Sequence, residues 1–204
     1  MPYAAASLTV GALALLVGSL LTPATAGAAE SLSIVRENDG RWLGVSALLL
    51  FGSVTMTLGL PSLLTLIGGR AARLGLVALC VMAVGTILTS GYAVLLVFYR
   101  ALVLTDSLTG PIEDLSTEPG IAGFLAVFLG AFFGGELLLG LALLLGGSVR
   151  PWIPALLLVH AATPALNLVV PVTWQGYEAF LLAAGFSGLA ITANERAAQR
   201  RLTG

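Results

Sequence analysis

Ile121–Gly147 reads IAGFLAVFLGAFFGGELLLGLALLLGG, an unbroken apolar run with one charged residue, Glu136, near its middle. As a helix it is long enough to cross the roughly 30 Å hydrocarbon core of a bilayer. Five further apolar stretches flank it. The expected spans are about 4–28, 43–68, 74–99, 121–147, 151–171 and 176–194. Backbone groups in lipid must be satisfied within their own segment, so such stretches form helices. The expectation is therefore an all-α polytopic integral membrane protein: a single membrane domain over residues 1–204, built as a six-transmembrane-helix bundle.

Composition supports this reading. The 204 residues are 58% hydrophobic and 9% charged, with nine Arg and ten Asp or Glu. All of these charges except Glu136 fall in short gaps or at the ends of the apolar stretches. The distribution is also asymmetric. Arg70, Arg73, Arg150, Arg196, Arg200 and Arg201 share one expected face with a single acid, Glu195. The other face carries Glu30, Glu37, Asp39, Asp106, Glu113, Asp114, Glu118 and Glu178 against Arg36, Arg41 and Arg100. Basic residues in short loops stay on the cytoplasmic side, which puts both termini inside. Trp42, Trp152 and Trp174 fall at expected interfaces, where indole rings favour the headgroup level. Composition and compact loops suit a bacterial cytoplasmic membrane, and the basic residues of the inner face suit contact with anionic membrane lipids. The arginines are too sparse for nucleic acid.

The end of the first stretch, Thr22-Pro-Ala-Thr-Ala-Gly-Ala-Ala29, is similar to a signal-peptide cleavage region. A basic n-region is missing and the apolar run is long for a signal, so retention as a membrane helix is expected. Cleavage would leave five spans.

Tight turns at Gly69-Arg-Ala-Ala-Arg73 and Gly146-Gly-Ser-Val-Arg-Pro151 make the second and third spans antiparallel neighbours, and likewise the fourth and fifth. Leu64-Thr-Leu-Ile-Gly-Gly…Arg73 is similar to Leu141-Ala-Leu-Leu-Leu-Gly-Gly…Arg150, but a chain so rich in Leu, Gly and Ala produces such likeness by chance. Gly130 and Gly134 form a small-xxx-small pair, which predicts close backbone packing and a central place for the fourth helix. Pro61, Pro154 and Pro164 interrupt other spans.

Two ionisable residues carry the candidate chemistry. Glu136 lies about 11 residues above the Gly147 turn, and His160, the sole histidine, about 10 residues above the same turn, or roughly 15–16 Å each. They share one depth on antiparallel neighbours. Charge at that depth costs several kcal/mol, so such groups turn inward and find a partner. A carboxylate–imidazole pair exchanges protons near neutral pH and can anchor a small polar ligand. His160, Thr163 and Asn167 follow i, i+3, i+7 spacing on one helix face. Thr86, Thr89 and Ser90 lie at similar depth in the third span, with Ser53, Thr55 and Thr57 in the second. Tyr92 adds a hydroxyl above them. Together these predict a ligand- or proton-binding pocket. The plainer reading makes the same Ser, Thr and His hydrogen-bonding glue at roughly 0.6 kcal/mol per contact.

Other functions find less support. One histidine cannot supply bis-histidine haem ligation, and Glu136 with His160 gives two metal ligands where catalytic zinc needs three. Lysine is absent, which excludes a Schiff base. Lone Cys80 excludes an intrachain disulfide. No cofactor or metal is expected. The external acids match no calcium loop. Three readings remain: transport or ligand binding through the midplane pair, a non-catalytic subunit joined to a membrane-protein partner or a homo-oligomer, and a lipid-modifying enzyme using the pair as acid and base.

Overall fold

The computed structural model describes residues 2–23, 33, 35–107, 117–166 and 176–203, and no strand occurs among them. The elements are α1 (Pro2–Leu21), α2 (Asp39–Gly59), a 3₁₀ stretch (Leu60–Thr65), α3 (Ala72–Leu104), α4 (Pro119–Gly146), α5 (Trp152–Ala161), α6 (Thr163–Leu166) and α7 (Ala179–Thr203). Among the described residues, four helical segments are long and apolar enough to cross a membrane: Tyr3–Leu21, Asp39–Thr65, Gly69–Leu104 and Pro119–Gly146.

The fifth expected span is not one rod. Its apolar helix covers Trp152–Ala165 and breaks at Ala162, before Pro164. Proline has no N–H, so Pro164 cannot bond the His160 carbonyl four residues back. The Thr163 hydroxyl donates to that carbonyl instead, at 2.7 Å. Pro61 opens the 3₁₀ stretch, and Ser62 Oγ donates to the Gly59 carbonyl at 2.7 Å.

The long helices pack as a ring in which each touches two neighbours, in the order α1, α2, α3, α4, α5, α7 and back to α1. Every adjacent pair is antiparallel. The arginine-bearing turns at Gly68–Arg73 and Gly147–Arg150 lie at one end with Arg196, whose side chain donates to the Ser148 carbonyl. At the other end Arg100 pairs with Asp39, and Arg36 with Asp106 at 2.5 Å. Trp42 Nε1 donates to the Leu96 carbonyl at 3.0 Å, and Arg41 Nε to the Leu21 carbonyl at 2.7 Å. The charge asymmetry read from the sequence is thus an asymmetry between the two ends of the bundle.

Polarity is distributed for a lipid solvent. Along α3, Val77, Val84, Ile87, Val94 and Phe98 point outward, while Thr86 and Thr89 on the same helix are buried. Leu8, Met56, Leu63, Met82, Leu139, Leu157, Phe186 and Leu189 fill the centre. So much exposed apolar surface would drive association in water. In hydrocarbon it costs nothing, and cohesion comes from close packing and interhelical hydrogen bonds.

Glycines set that packing, though not the pair expected. A Cβ at Gly59 would lie 2.5 Å from Leu8 N, and one at Gly11 2.5 Å from Met56 N, so α1 and α2 touch backbone to backbone. Gly85 meets the Phe132 backbone and Gly135 the Met82 backbone, each at 2.6 Å, joining α3 to α4. Gly130 and Gly134 correct the sequence reading, because a Cβ at either position meets nothing within 4 Å. The close-packed face of α4 is one residue further round, at Gly135, with Gly140 against Leu158 and the Pro154 carbonyl of α5.

Candidate functional site

Glu136 sits between those two contacts. Gly135 draws the α3 backbone against one flank of α4, and Gly140 draws α5 against another. The carboxylate is thereby fixed between helices rather than in lipid, and Glu136 is 0% exposed. Its Oε2 lies 2.6 Å from Nδ1 of His160, which is 5% exposed in the last turn of α5. The equal depth counted from the turn becomes a direct hydrogen bond. Phe133, one turn before Glu136, packs its ring 5.5 Å from the imidazole at a 32° tilt. That ring shields one side of the pair.

The bond permits two arrangements with the same number of protons. An imidazolium N–H donates to a carboxylate, or a carboxyl O–H donates to a neutral imidazole. Both keep one proton between Nδ1 and Oε2, and low local dielectric strengthens either. The second carboxyl oxygen differs: Oε1 is buried and has no hydrogen-bond partner in the structure. A buried oxygen without a partner costs about 1–3 kcal/mol. It is the atom at which an added proton or a ligand donor would find an acceptor.

Thr163 belongs to this neighbourhood through its bond to the His160 carbonyl. Its hydroxyl is committed to holding the broken end of α5. Asn167, the next residue of the expected stripe, lies outside the described residues, as do Trp174, Glu113 and Asp114.

The other expected residues make their bonds elsewhere. Thr86 Oγ1 accepts from Thr57 Oγ1 at 2.8 Å, and Ser90 Oγ shares a bond with Ser53 Oγ at 2.7 Å. These are two rungs, one helical turn apart, of a hydroxyl ladder between α2 and α3. Thr89 Oγ1 donates to the Gly85 carbonyl at 2.9 Å, and Thr55 Oγ1 to the Phe51 carbonyl at 2.7 Å. Tyr92 stacks on Phe128 with ring centroids 5.3 Å apart. Phe128 continues to Phe132 and Phe132 to Phe133, an aromatic chain along α4 that ends beside His160. Sequence reading missed this chain. Its signal was present in Phe124, Phe128 and Phe132, spaced four residues apart on one helix face.

Among the described residues no group of three or more His, Cys, Asp or Glu could hold a metal ion. Cys80 is exposed on the apolar surface. The chain matches no protein-family model, and comparison with curated proteins and with solved structures returned no match.

Proposed function

We propose that this is a small multi-pass protein of the bacterial cytoplasmic membrane that moves or binds a small polar ligand, with Glu136 and His160 as its proton-exchanging pair. The supporting observation is the buried 2.6 Å contact between Oε2 and Nδ1, beside an Oε1 without a partner. Chains of intramembrane carboxylate and imidazole groups are the usual components of proton relays. A purely structural clasp would be expected to satisfy both carboxyl oxygens, since the unsatisfied one weakens it.

Six spans are part of this reading. The α5–α6 segment is short, and at its break Thr163 is buried while Ala162, Pro164 and Ala165 are exposed; the Thr163 hydroxyl satisfies the freed His160 carbonyl, as a bilayer requires of a broken helix. The 25 residues of α7 reach about 37 Å as a helix, of which the part before Glu195 (residues 179–194) covers about 24 Å, so in this reading it crosses with local thinning of the bilayer. The arginine-bearing end is placed in the cytoplasm by the positive-inside rule. Impermeant maleimide tests this on intact cells in a Cys80→Ser background. Asp106→Cys should label from outside and Arg70→Cys only after lysis, and the reverse pattern rejects the orientation.

The functional test is proton movement in sealed proteoliposomes, followed with a trapped pH-sensitive dye under an imposed gradient. Wild-type protein should carry a proton flux that Glu136→Gln reduces to the rate of empty vesicles. Equal fluxes from both proteins would reject the reading.

One observation favours a second reading, a subunit that docks on another membrane protein or on its own copy. Gly123, Gly130 and Gly134 present open space on the outer side of α4. Small residues on a lipid-facing surface allow another helix to approach closely. Disulfide trapping through Gly130→Cys, in the Cys80→Ser background, distinguishes a self-docking face from a lipid-facing one.

A further inference from the structure

The connection Gly147–Pro151 and the last turns of α7 meet at the arginine-bearing end of the bundle. Between them lies a cavity of about 380 Å³, lined chiefly by Ser148, Arg150, Thr192, Glu195, Arg196 and Gln199. Thr192, Glu195, Arg196 and Gln199 follow i, i+3, i+4, i+7 spacing, so one face of α7 forms one wall. The turn after α4 forms the other, with Gly147 left-handed at φ 57° to reverse the chain. Arg196 joins the walls by donating to the Ser148 carbonyl. A guanidinium has five N–H donors in a planar fork, and that bond uses one of them.

The depth of the cavity is marked by Trp152. Its ring lies along α7 beside Gly188, one turn before Thr192, and the residue is 49% exposed. A half-exposed indole at the end of an apolar helix sits at headgroup level. Two arginines, one exposed and one braced, therefore flank a cavity at the height of lipid phosphates. Guanidinium groups match phosphate oxygens by paired hydrogen bonds. Arg70 and Arg73 at the same end add attraction for an anionic leaflet. Glu195 contributes the opposing charge. Two positive groups and one negative leave the lining at +1. That balance matches the single charge of a phosphodiester better than a doubly charged free phosphate.

We propose that this cavity binds the phosphodiester of a membrane phospholipid, with Arg150 and Arg196 on its non-bridging oxygens. The site is distinct from the Glu136–His160 pair and does not depend on its role.

The test uses the full chain in neutral detergent, titrated separately with short-chain phosphatidylglycerol, the matching diacylglycerol and inorganic phosphate. Thermal unfolding and native mass spectrometry are the readouts. Phosphatidylglycerol should raise Tm saturably and leave a one-lipid adduct, while diacylglycerol does neither. Arg150→Gln should weaken the apparent affinity about fivefold, the worth of one arginine near a lipid surface. Arg73→Gln, at the same end but outside the cavity, should change it less than twofold. Equal weakening by the two substitutions would mean diffuse attraction and overturn the site. So would a phosphatidylglycerol effect that does not saturate. Inorganic phosphate stabilising as strongly as the lipid would overturn the lipid assignment in favour of a solute anion. Arg196→Gln removes the brace on Ser148 and can unfold the turn, so the decision rests on Arg150→Gln.

Discussion

Glu136 Oε2 and His160 Nδ1 lie 2.6 Å apart on antiparallel helices, each at the same rise above the turn that joins them. A buried pair of this kind is more costly to break than to replace. His160→Leu strands the carboxyl group and should destabilise the protein by about 3–5 kcal/mol. The double substitution Glu136→Leu with His160→Leu should recover most of that loss. Unfolding in mixed micelles measures both, and a double variant as unstable as the single one would show that the pair is not coupled.

The two neighbouring glycines of α4 should behave oppositely. A methyl group at Gly135 meets the Met82 backbone at 2.6 Å, whereas one at Gly134 meets open space. Gly135→Ala should therefore cost about 1–3 kcal/mol through overpacking. Gly134→Ala should stay within about 0.5 kcal/mol of wild type, as exposed substitutions do. Equal effects would show that α4 is rotated from the orientation described.

Each rung of the hydroxyl ladder between α2 and α3 should be weak. A double-mutant cycle on Thr57 and Thr86, using Val at each, should return about 0.6 kcal/mol of coupling. Coupling indistinguishable from zero would remove the rung.

Glu118 supplies an acid-dependent contribution outside the membrane span. Its Oε2 accepts from the Ile121 N–H at 2.9 Å at the start of α4. That bond, with one from the Gly120 N–H, lowers its pKa from the ordinary 4.5. A lowered folded-state pKa means stability present above the unfolded value and lost as pH falls through the lower folded value. Tm should fall on acidification below about pH 4.5 in wild type and fall less in Glu118→Gln. Matching acid limbs would exclude the cap as the cause.

Much of this arrangement was legible in the residues because its controlling features are discrete. Charges can occupy few places in so apolar a chain, so the two ends of the bundle could be read from arginines and acids alone. The shared depth of Glu136 and His160 needed only a short turn and a fixed rise per residue. Rotation about each helix axis was a different matter. On α4 Glu136 alone contrasts with its apolar neighbours, and the small-xxx-small spacing pointed to Gly130 and Gly134, whereas the close contact is made by Gly135. The same ambiguity hid the partners of Thr86 and Ser90, whose hydroxyls turn to α2. The length of the fifth helix depended on a local competition, in which Pro164 removed a donor and Thr163 supplied another.

That competition leaves a mechanical trace at the level of the imidazole. The carbonyl of His160 is held by a hydroxyl that turns about a single bond, where an intact helix would hold it with a rigid amide. The short helix beyond Ala162 thus joins the rod below through this hydroxyl together with main-chain bonds, from the Ala162 N–H to the Leu158 and Val159 carbonyls and from the Ala165 N–H to the Ala162 carbonyl. The sole histidine sits in the last turn of that rod, directly below the joint, so whatever bends the helix there acts first on the imidazole.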